Sequence, residues 1–213
     1  MRKLILKMSI SIDGFVGGPN GEIDWLLKTY DEGSTKWTMD IIRQAGVHIM
    51  GSRTFNDMKA YWPYSTEPFA APMNEIPKIA FSKKGIIESD NPTTGALKDS
   101  IAQRDEKGTM DKSITSPGES WLNAQILTGD LAEEINRLKQ QRGKLILAHG
   151  GAGFAQSLVK LNLIDEYHLL VHPVALGKGL PLFSALADPL DLVLVSAIPF
   201  DSGAVAHVYR PGK

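Results

Sequence analysis

Three places in this chain put small, hydroxyl-bearing or cationic residues just past the end of an apolar run. Each suits an anion. The first is Gly51-Ser52-Arg53-Thr54, after the run at 47–50. Backbone N–H groups at a helix start attract phosphate, and the positive end of the helix dipole adds to the pull. Arg53 supplies a cation there and Thr54 a hydroxyl donor. The second is Gly150-Gly151-Ala152-Gly153-Phe154, after the run at 144–148. Glycines let a phosphate come close to the backbone. The pattern is neither the G-x-G-x-x-G fingerprint, because Gln156 holds the third glycine position, nor a Walker A loop, because no Gly-Lys-Ser/Thr follows. The third is Ser82-Lys83, past the run at 78–81, where a hydroxyl and an ammonium suit a ribose phosphate. Singly, each reads equally well as an ordinary turn. Three together at strand ends point to a dinucleotide.

Other chemistry-bearing residues are scattered. Asp13, Asp24, Asp31 and Asp40 could each supply a carboxylate that protonates or hydrogen-bonds a substrate. His168 and His172 are four apart, which on a strand places them on one face and is not helical zinc spacing. Asp165 and Glu166 read as structural residues at a strand start. The chain has no cysteine, so disulfides and thiolate metal sites are out of reach, and no metal is expected.

The elements that must position these residues alternate. Apolar strands are expected at 3–12, 47–50, 78–81, 121–127, 144–148 and 165–174, and helices at 34–45, 54–60, 130–141 and 154–161. Ser34 reads as the N-cap of the first helix, and Thr128 or Asp130 as the cap of the third, whose first turn carries Glu133 and Glu134. Residues 190–198 and 203–209 form a closing hairpin across Asp201-Ser202-Gly203. Residues 85–120 are rich in Gly, Ser, Thr, Asp and Lys and read as a long loop or hairpin insertion. Alternating strands and helices predict an α/β fold. Its sheet is mostly parallel, with helices on both faces and an antiparallel C-terminal hairpin.

Composition narrows the function classes. The 213 residues are 43% hydrophobic, and one domain over 1–213 is expected, burying roughly 70% of the unfolded surface. Net charge is −1, from 23 Lys+Arg and 24 Asp+Glu, so no nucleic-acid footprint is present. No run of 18 apolar residues predicts a membrane span, and the first dozen residues do not read as a signal peptide. A cytoplasmic protein is expected.

Several segments in order resemble the dihydrofolate reductase-like family. They are Ser11-Ile12-Asp13-Gly14-Phe15, Gly18-Pro19-Asn20-Gly21 with Asp24-Trp25, Met50-Gly51-Ser52-Arg53-Thr54-Phe55, Gly150-Gly151-Ala152, Leu163-Ile164-Asp165-Glu166, and Pro173-Val174-Ala175-Leu176-Gly177-Lys178-Gly179. The branch they are most similar to is the reductase domain of bacterial riboflavin-biosynthesis deaminase-reductases. The resemblance covers most of the chain outside 85–120. It implies a central mixed sheet and NADPH as cofactor. The turns at Gly51 to Thr54 and Gly150 to Phe154 would wrap the phosphates, and Ser82-Lys83 would lie near the adenosine 2′-phosphate. The segment from Ser11 to Gly17, with Ser11 and Val16, would line the nicotinamide. Substrate would enter beside it, near Asp24, Trp25 and His149, with Asp24 as the acid. Homodimers are implied too. Two departures stand out: Ser52 replaces an arginine common in relatives, and His149 stands where riboflavin-type reductases tend to carry glutamate.

The resulting expectation is an NADPH-dependent reductase of a small heterocycle, such as an aminopyrimidinone ribosyl phosphate or a pterin-like compound. A nucleotide- or pterin-binding module without catalysis is the alternative, and an α/β oligomer whose glycine turns serve only packing is the third reading.

Overall fold

The structure, a computed structural model, describes residues 1–85, 108–111, 113, 114 and 116–212. Eight strands form one sheet: β1 (Leu4–Ser11), β2 (Ala45–Gly51), β3 (Lys78–Phe81), β4 (Gln125–Leu127), β5 (Leu145–Ala148), β6 (Glu166–His172), β7 (Leu192–Pro199) and β8 (Val205–Pro211). Their order across the sheet is β4-β3-β2-β5-β1-β6-β8-β7. The first six are parallel; β8 runs antiparallel to both β6 and β7. The expected mixed sheet with an antiparallel closing hairpin is therefore present. Gly203, at φ 81, supplies the left-handed turn residue between β7 and β8.

Among the described residues six α-helices accompany the sheet: α1 (Glu32–Arg43), α2 (Ser52–Lys59), α3 (Ala70–Glu75), α4 (Glu119–Leu122), α5 (Leu131–Gln140) and α6 (Ala152–Lys160). Strand alternation sorts the core. Leu4, Leu6, Met8 and Ile10 of β1 face one side and cluster with Ile135 and Leu138 of α5 and Ala155, Leu158 and Val159 of α6. Ile5 faces the other, with Ile41 and Ile42 of α1, Phe55 of α2, Met73 of α3 and Trp121 of α4. Connection handedness explains the split. The chain steps one way along the sheet from β1 to β4 and the other way from β4 to β6. Right-handed crossovers then place α1 and α2 on one face and α5 and α6 on the other.

Two local expectations are corrected. The first helix begins at Glu32, two residues before Ser34, because Asp31 is the better cap. Its carboxylate accepts the Ser34 N–H at 2.7 Å while Ser34 Oγ accepts the Asp31 N–H at 3.0 Å, a reciprocal capping box. The strand expected at 121–127 is a short helix, α4, and then β4. Trp121 reads as a strand residue by its apolarity, yet it packs on Phe55 and donates its indole N–H to Asn74 Oδ1 at 2.7 Å. Most of the insertion expected at 85–120 lies outside the described residues. Among the described residues no helix is long and apolar enough to cross a membrane, and no acid–histidine cluster could hold a metal ion.

Candidate functional site

The carboxyl ends of the parallel strands carry most of the residues picked out by sequence. Adjacent strands β2 and β5 lead into helices that leave to opposite faces, α2 and α6. In open α/β sheets such a switch point is where ligands bind. Gly51 is the N-cap of α2 and Gly151 the N-cap of α6, and neither helix start has a side-chain cap. Their first N–H groups, at Ser52, Arg53 and Thr54 and at Ala152, Gly153 and Phe154, therefore need other partners. The two turns are tied together by the Gly151 N–H, which donates to Thr54 Oγ1 at 2.7 Å.

The glycines have different duties. A Cβ on Gly51 would sit 3.2 Å from Phe154 Cβ, one on Gly150 3.0 Å from Met8 Cε, and one on Gly151 2.8 Å from Thr54 Oγ1. Gly151 is thus held by the contact of turn on turn, and Gly51 and Gly150 are closely packed against α6 and β1. A Cβ on Gly153 would meet nothing within 4 Å, so that glycine faces open space. The peptide joining Gly150 and Gly151 is cis. Phe154 packs its ring at a tilt on Phe81, with centroids 5.3 Å apart, and its backbone lies in the first turn of α6. Arg53 and Lys83 are exposed. Ser82 bonds the Gly85 carbonyl through its hydroxyl, at the end of β3 next to β2.

The segment expected to line a nicotinamide starts where β1 ends, beside β5. Ser11 is buried; its hydroxyl donates to Asp13 Oδ1 at 2.6 Å and accepts the Phe15 N–H. Asp13 also accepts the N–H groups of Leu176 and Gly177. Val16 is buried and donates its N–H to Leu180 O, while Leu180 returns its own to Gly17 O. A Cβ on Gly179 would lie 2.2 Å from Gly17 O, so glycine is required for this approach. Asp13 is thus a structural clasp. Asp31 caps α1 and also accepts the Ser202 N–H, and Asp40 pairs with Lys36. Asp24 is exposed at the start of a 3-10 turn, Asp24–Lys28.

On the α1 side of the same strand ends lies a polar patch that sequence reasoning mostly missed. Lys7, Ser9 and Ser11 alternate with the apolar residues of β1. Lys7 and Ser9 are half-buried although β1 is flanked by β5 and β6. Accessible side chains on a central strand require a cleft above them. Tyr30 closes one side, its hydroxyl 3.2 Å from Lys7 Nζ and 3.4 Å from Ser9 Oγ. Lys7 makes no ion pair among the described residues. His149, in β-register beyond Ala148, and His172, at the end of β6, are buried nearby. Each leaves its Nε2 without a partner among the described residues. His172 Nδ1 is 2.6 Å from Thr29 Oγ1, and the Trp25 ring stands edge-on to His172 at 5.4 Å. Burial first, then the charges of Lys7 and Lys78, holds His149 down to about 3; burial and Lys7 hold His172 at about 4. Both rings are neutral at pH 7. The polar alternation of residues 7, 9 and 11 was the signal that could have found Lys7 and Ser9. Tyr30 has no such signal.

A model of the RibD C-terminal domain matches residues 2–206. The chain belongs to the RibD C-terminal domain family. The uncharacterized protein YyaP of Bacillus subtilis (strain 168) is 32% identical over 209 residues, covering 98% of this chain and 95% of that one. Among solved structures, a riboflavin biosynthesis protein from Shewanella sp. PV-4 superposes with a TM-score of 0.67 at 18% identity, covering 99% of each chain. Dihydrofolate reductase from Enterococcus faecalis, solved with NADP(H), superposes at 0.58 with 12% identity, covering 99% of this chain and 97% of that one. The fold is dihydrofolate reductase-like, as the ordered segments implied. Within this RibD-type domain, the two glycine turns and the cleft over β1 are neighbours toward the carboxyl ends of the adjacent strands β2, β5 and β1.

Proposed function

We propose that this chain is an NADPH-dependent reductase of a small heterocycle, riboflavin-reductase-like or pterin-reductase-like in substrate class. One observation carries the reading. Two helix starts without side-chain caps stand side by side at the switch point, joined through Gly151 and Thr54, with open space at Gly153. Backbone donors at both starts fit the two phosphates of a dinucleotide. Gly51, Ser52, Arg53 and Thr54 would hold one end and Gly150, Gly151, Ala152, Gly153 and Phe154 the other. Ser82 and Lys83 lie at the next strand end, suited to a ribose 2′-phosphate. Ser11 and Val16 would back the nicotinamide.

NADPH bound there supplies a hydride, and the chain's task is orientation, water exclusion and one proton. The cleft over Lys7 and Ser9, walled by Trp25, His149 and His172, would take the substrate, with Asp24 at its outer edge. The reading also places the chain in the cytoplasm as one domain. Thermal-shift titration tests it: ligand at 100 times its dissociation constant stabilises by about 2.7 kcal/mol. NADPH should bind more tightly than NADH, and no shift with either would sink the proposal. Binding without NADPH oxidation across pyrimidinones, dihydropterins and small carbonyls would make it a binding module instead.

The proposal includes a homodimer. Strand β7 is the edge of the sheet, and Val193, Leu194, Val195 and Ile198 are 41–59% exposed along it. An apolar edge strand is a surface that pairs with another chain. Sedimentation should show a dimer, converted to monomer by Val193→Lys; a wild-type monomer refutes this part.

A further inference from the structure

We infer that Tyr30 is the proton donor of this site, that Lys7 positions it, and that the group it serves is a carbonyl or imine. The inference rests on the reductase reading. Its geometry is a three-residue contact on the cleft floor: the Tyr30 hydroxyl touches Lys7 Nζ at 3.2 Å and Ser9 Oγ at 3.4 Å, and all three side chains are half-buried. A phenol beside an ammonium and a hydroxyl is a good acid, because the cation stabilises the phenolate left behind. The groups facing Tyr30 come from every element around it. They are Lys7 and Ser9 from β1, the His172 ring from β6 at 5.6 Å, Phe69 at 6.4 Å, and from α1 the Thr38 hydroxyl and Trp37. Asp31, the next residue, spends its carboxylate on the N–H groups of Ser34 and Ser202. His172 is neutral, so Lys7 is the cation that acts on the phenol among the described residues. Burial opposes ionisation of Tyr30, yet the charge of Lys7 and the hydroxyl and ammonium groups of Ser9, Lys7 and Thr38 outweigh it, and its pKa lies below the ordinary phenol value.

The step balances as follows. The carbonyl or imine carbon accepts a hydride, with its electron pair, from the reduced nicotinamide, and the C=O or C=N π bond breaks. Its electrons move to the oxygen or nitrogen, which takes the Tyr30 proton. The phenolate stays paired with Lys7 until solvent in the cleft returns a proton. Saturated heterocycles offer no such group and are excluded as substrates.

The test uses the full chain. In its NADPH-free form, phenolate absorbance should show one of the five tyrosines titrating below the rest. That early phase should vanish in Tyr30→Phe and move to higher pH in Lys7→Met, with Lys7→Arg restoring it. Turnover is then followed with NADPH and two probes, cyclohexanone and 1-pyrroline. Tyr30→Phe should bind NADPH like wild type and lose about 100-fold or more in turnover. Lys7→Met should move the alkaline limb of the rate profile upward. Tyr30→Phe within threefold of wild type, or loss confined to Asp24→Asn, overturns the inference and leaves the reductase reading standing. Absence of an early phenol phase overturns it without any activity, as does wild-type binding of NADPH with neither probe reduced. Failure of wild type to bind NADPH overturns the reductase reading itself.

Discussion

Four of the helices that flank the parallel strands begin in two different ways. At α1 and α5 an aspartate closes the helix start: Asp31 holds the Ser34 N–H, and Asp130 holds those of Ala132 and Glu133 at 2.9 and 3.1 Å. At α2 and α6 a glycine leads, and no side chain closes either start. A glycine N-cap costs only about a few tenths of a kcal/mol against a side-chain cap, so these starts leave N–H groups open at little cost in helix stability. The capped helices follow β1 and β4, and neither begins at the junction of β2 and β5. The glycine-led ones flank the switch point between β2 and β5. A side chain takes up the first N–H groups at one pair, and none does so at the other.

The largest effect expected from breaking this contrast is Gly151→Val. Its Cβ would lie 2.8 Å from Thr54 Oγ1 and would force the two turns apart. Overpacking of this kind costs about 1–3 kcal/mol. NADPH affinity, read by fluorescence quenching, should fall by about 100-fold or more, because both sets of donors lose their common geometry. Gly153→Ala separates the causes. Nothing in the protein lies within 4 Å of the added carbon, and alanine favours the helix that holds this residue, so melting should hold or rise while affinity falls. Unchanged affinity in both variants would end the phosphate reading of these turns.

The sequence made much of this legible and hid the rest for physical reasons. Strand–helix alternation and the glycine turns are local signals, and they placed the switch-point residues on the correct strand ends. The capping partner was misplaced by three residues because Asp31 and Ser34 are both good caps, and only the backbone decides which closes the helix. Trp121 misled because burial is available to helix and strand alike. The cleft was hidden because its members, Lys7, Ser9, Tyr30 and His172, come from β1, the segment before α1, and β6. Topology brings them together, and spacing along the chain does not.

Acid gives the next effect, because the two regions lose stability in different pH windows. His149 is kept neutral by burial, at about 3 against 6.5 for a free ring. The unfolded chain takes up a proton there below about pH 6.5 and the folded chain does not. Stability is therefore complete above pH 6.5 and drains as the pH falls toward 3, by about 1.4 kcal/mol per unit for this ring. His172 acts in the same direction down to about 4. Asp31 behaves differently. The Ser34 N–H, then the Ser202 N–H, hold its carboxyl below the usual range, so its contribution persists until the pH drops below about 3.9. Between pH 7.5 and 5.5 the melting temperature should fall, and His149→Asn should flatten that fall. An equal fall in the variant would mean the cleft floor is not what titrates.

The smallest effect is the most discriminating. Asp130→Ala removes two side-chain bonds at the start of α5, on the same face as α6 but away from the switch point. It should cost about 1 kcal/mol of stability. That is about 2–4 °C in melting temperature for a chain of this size. NADPH affinity should be unchanged within twofold, because α5 follows β4 at the far edge of the sheet and contributes no donor to the paired turns. If affinity fell together with stability, binding would be reporting general loosening, and the distinction between capped and glycine-led starts would lose its meaning. If stability fell alone, the uncapped starts would stand apart as the places where the chain forgoes its own cap, and the affinity lost in Gly151→Val could be assigned to them.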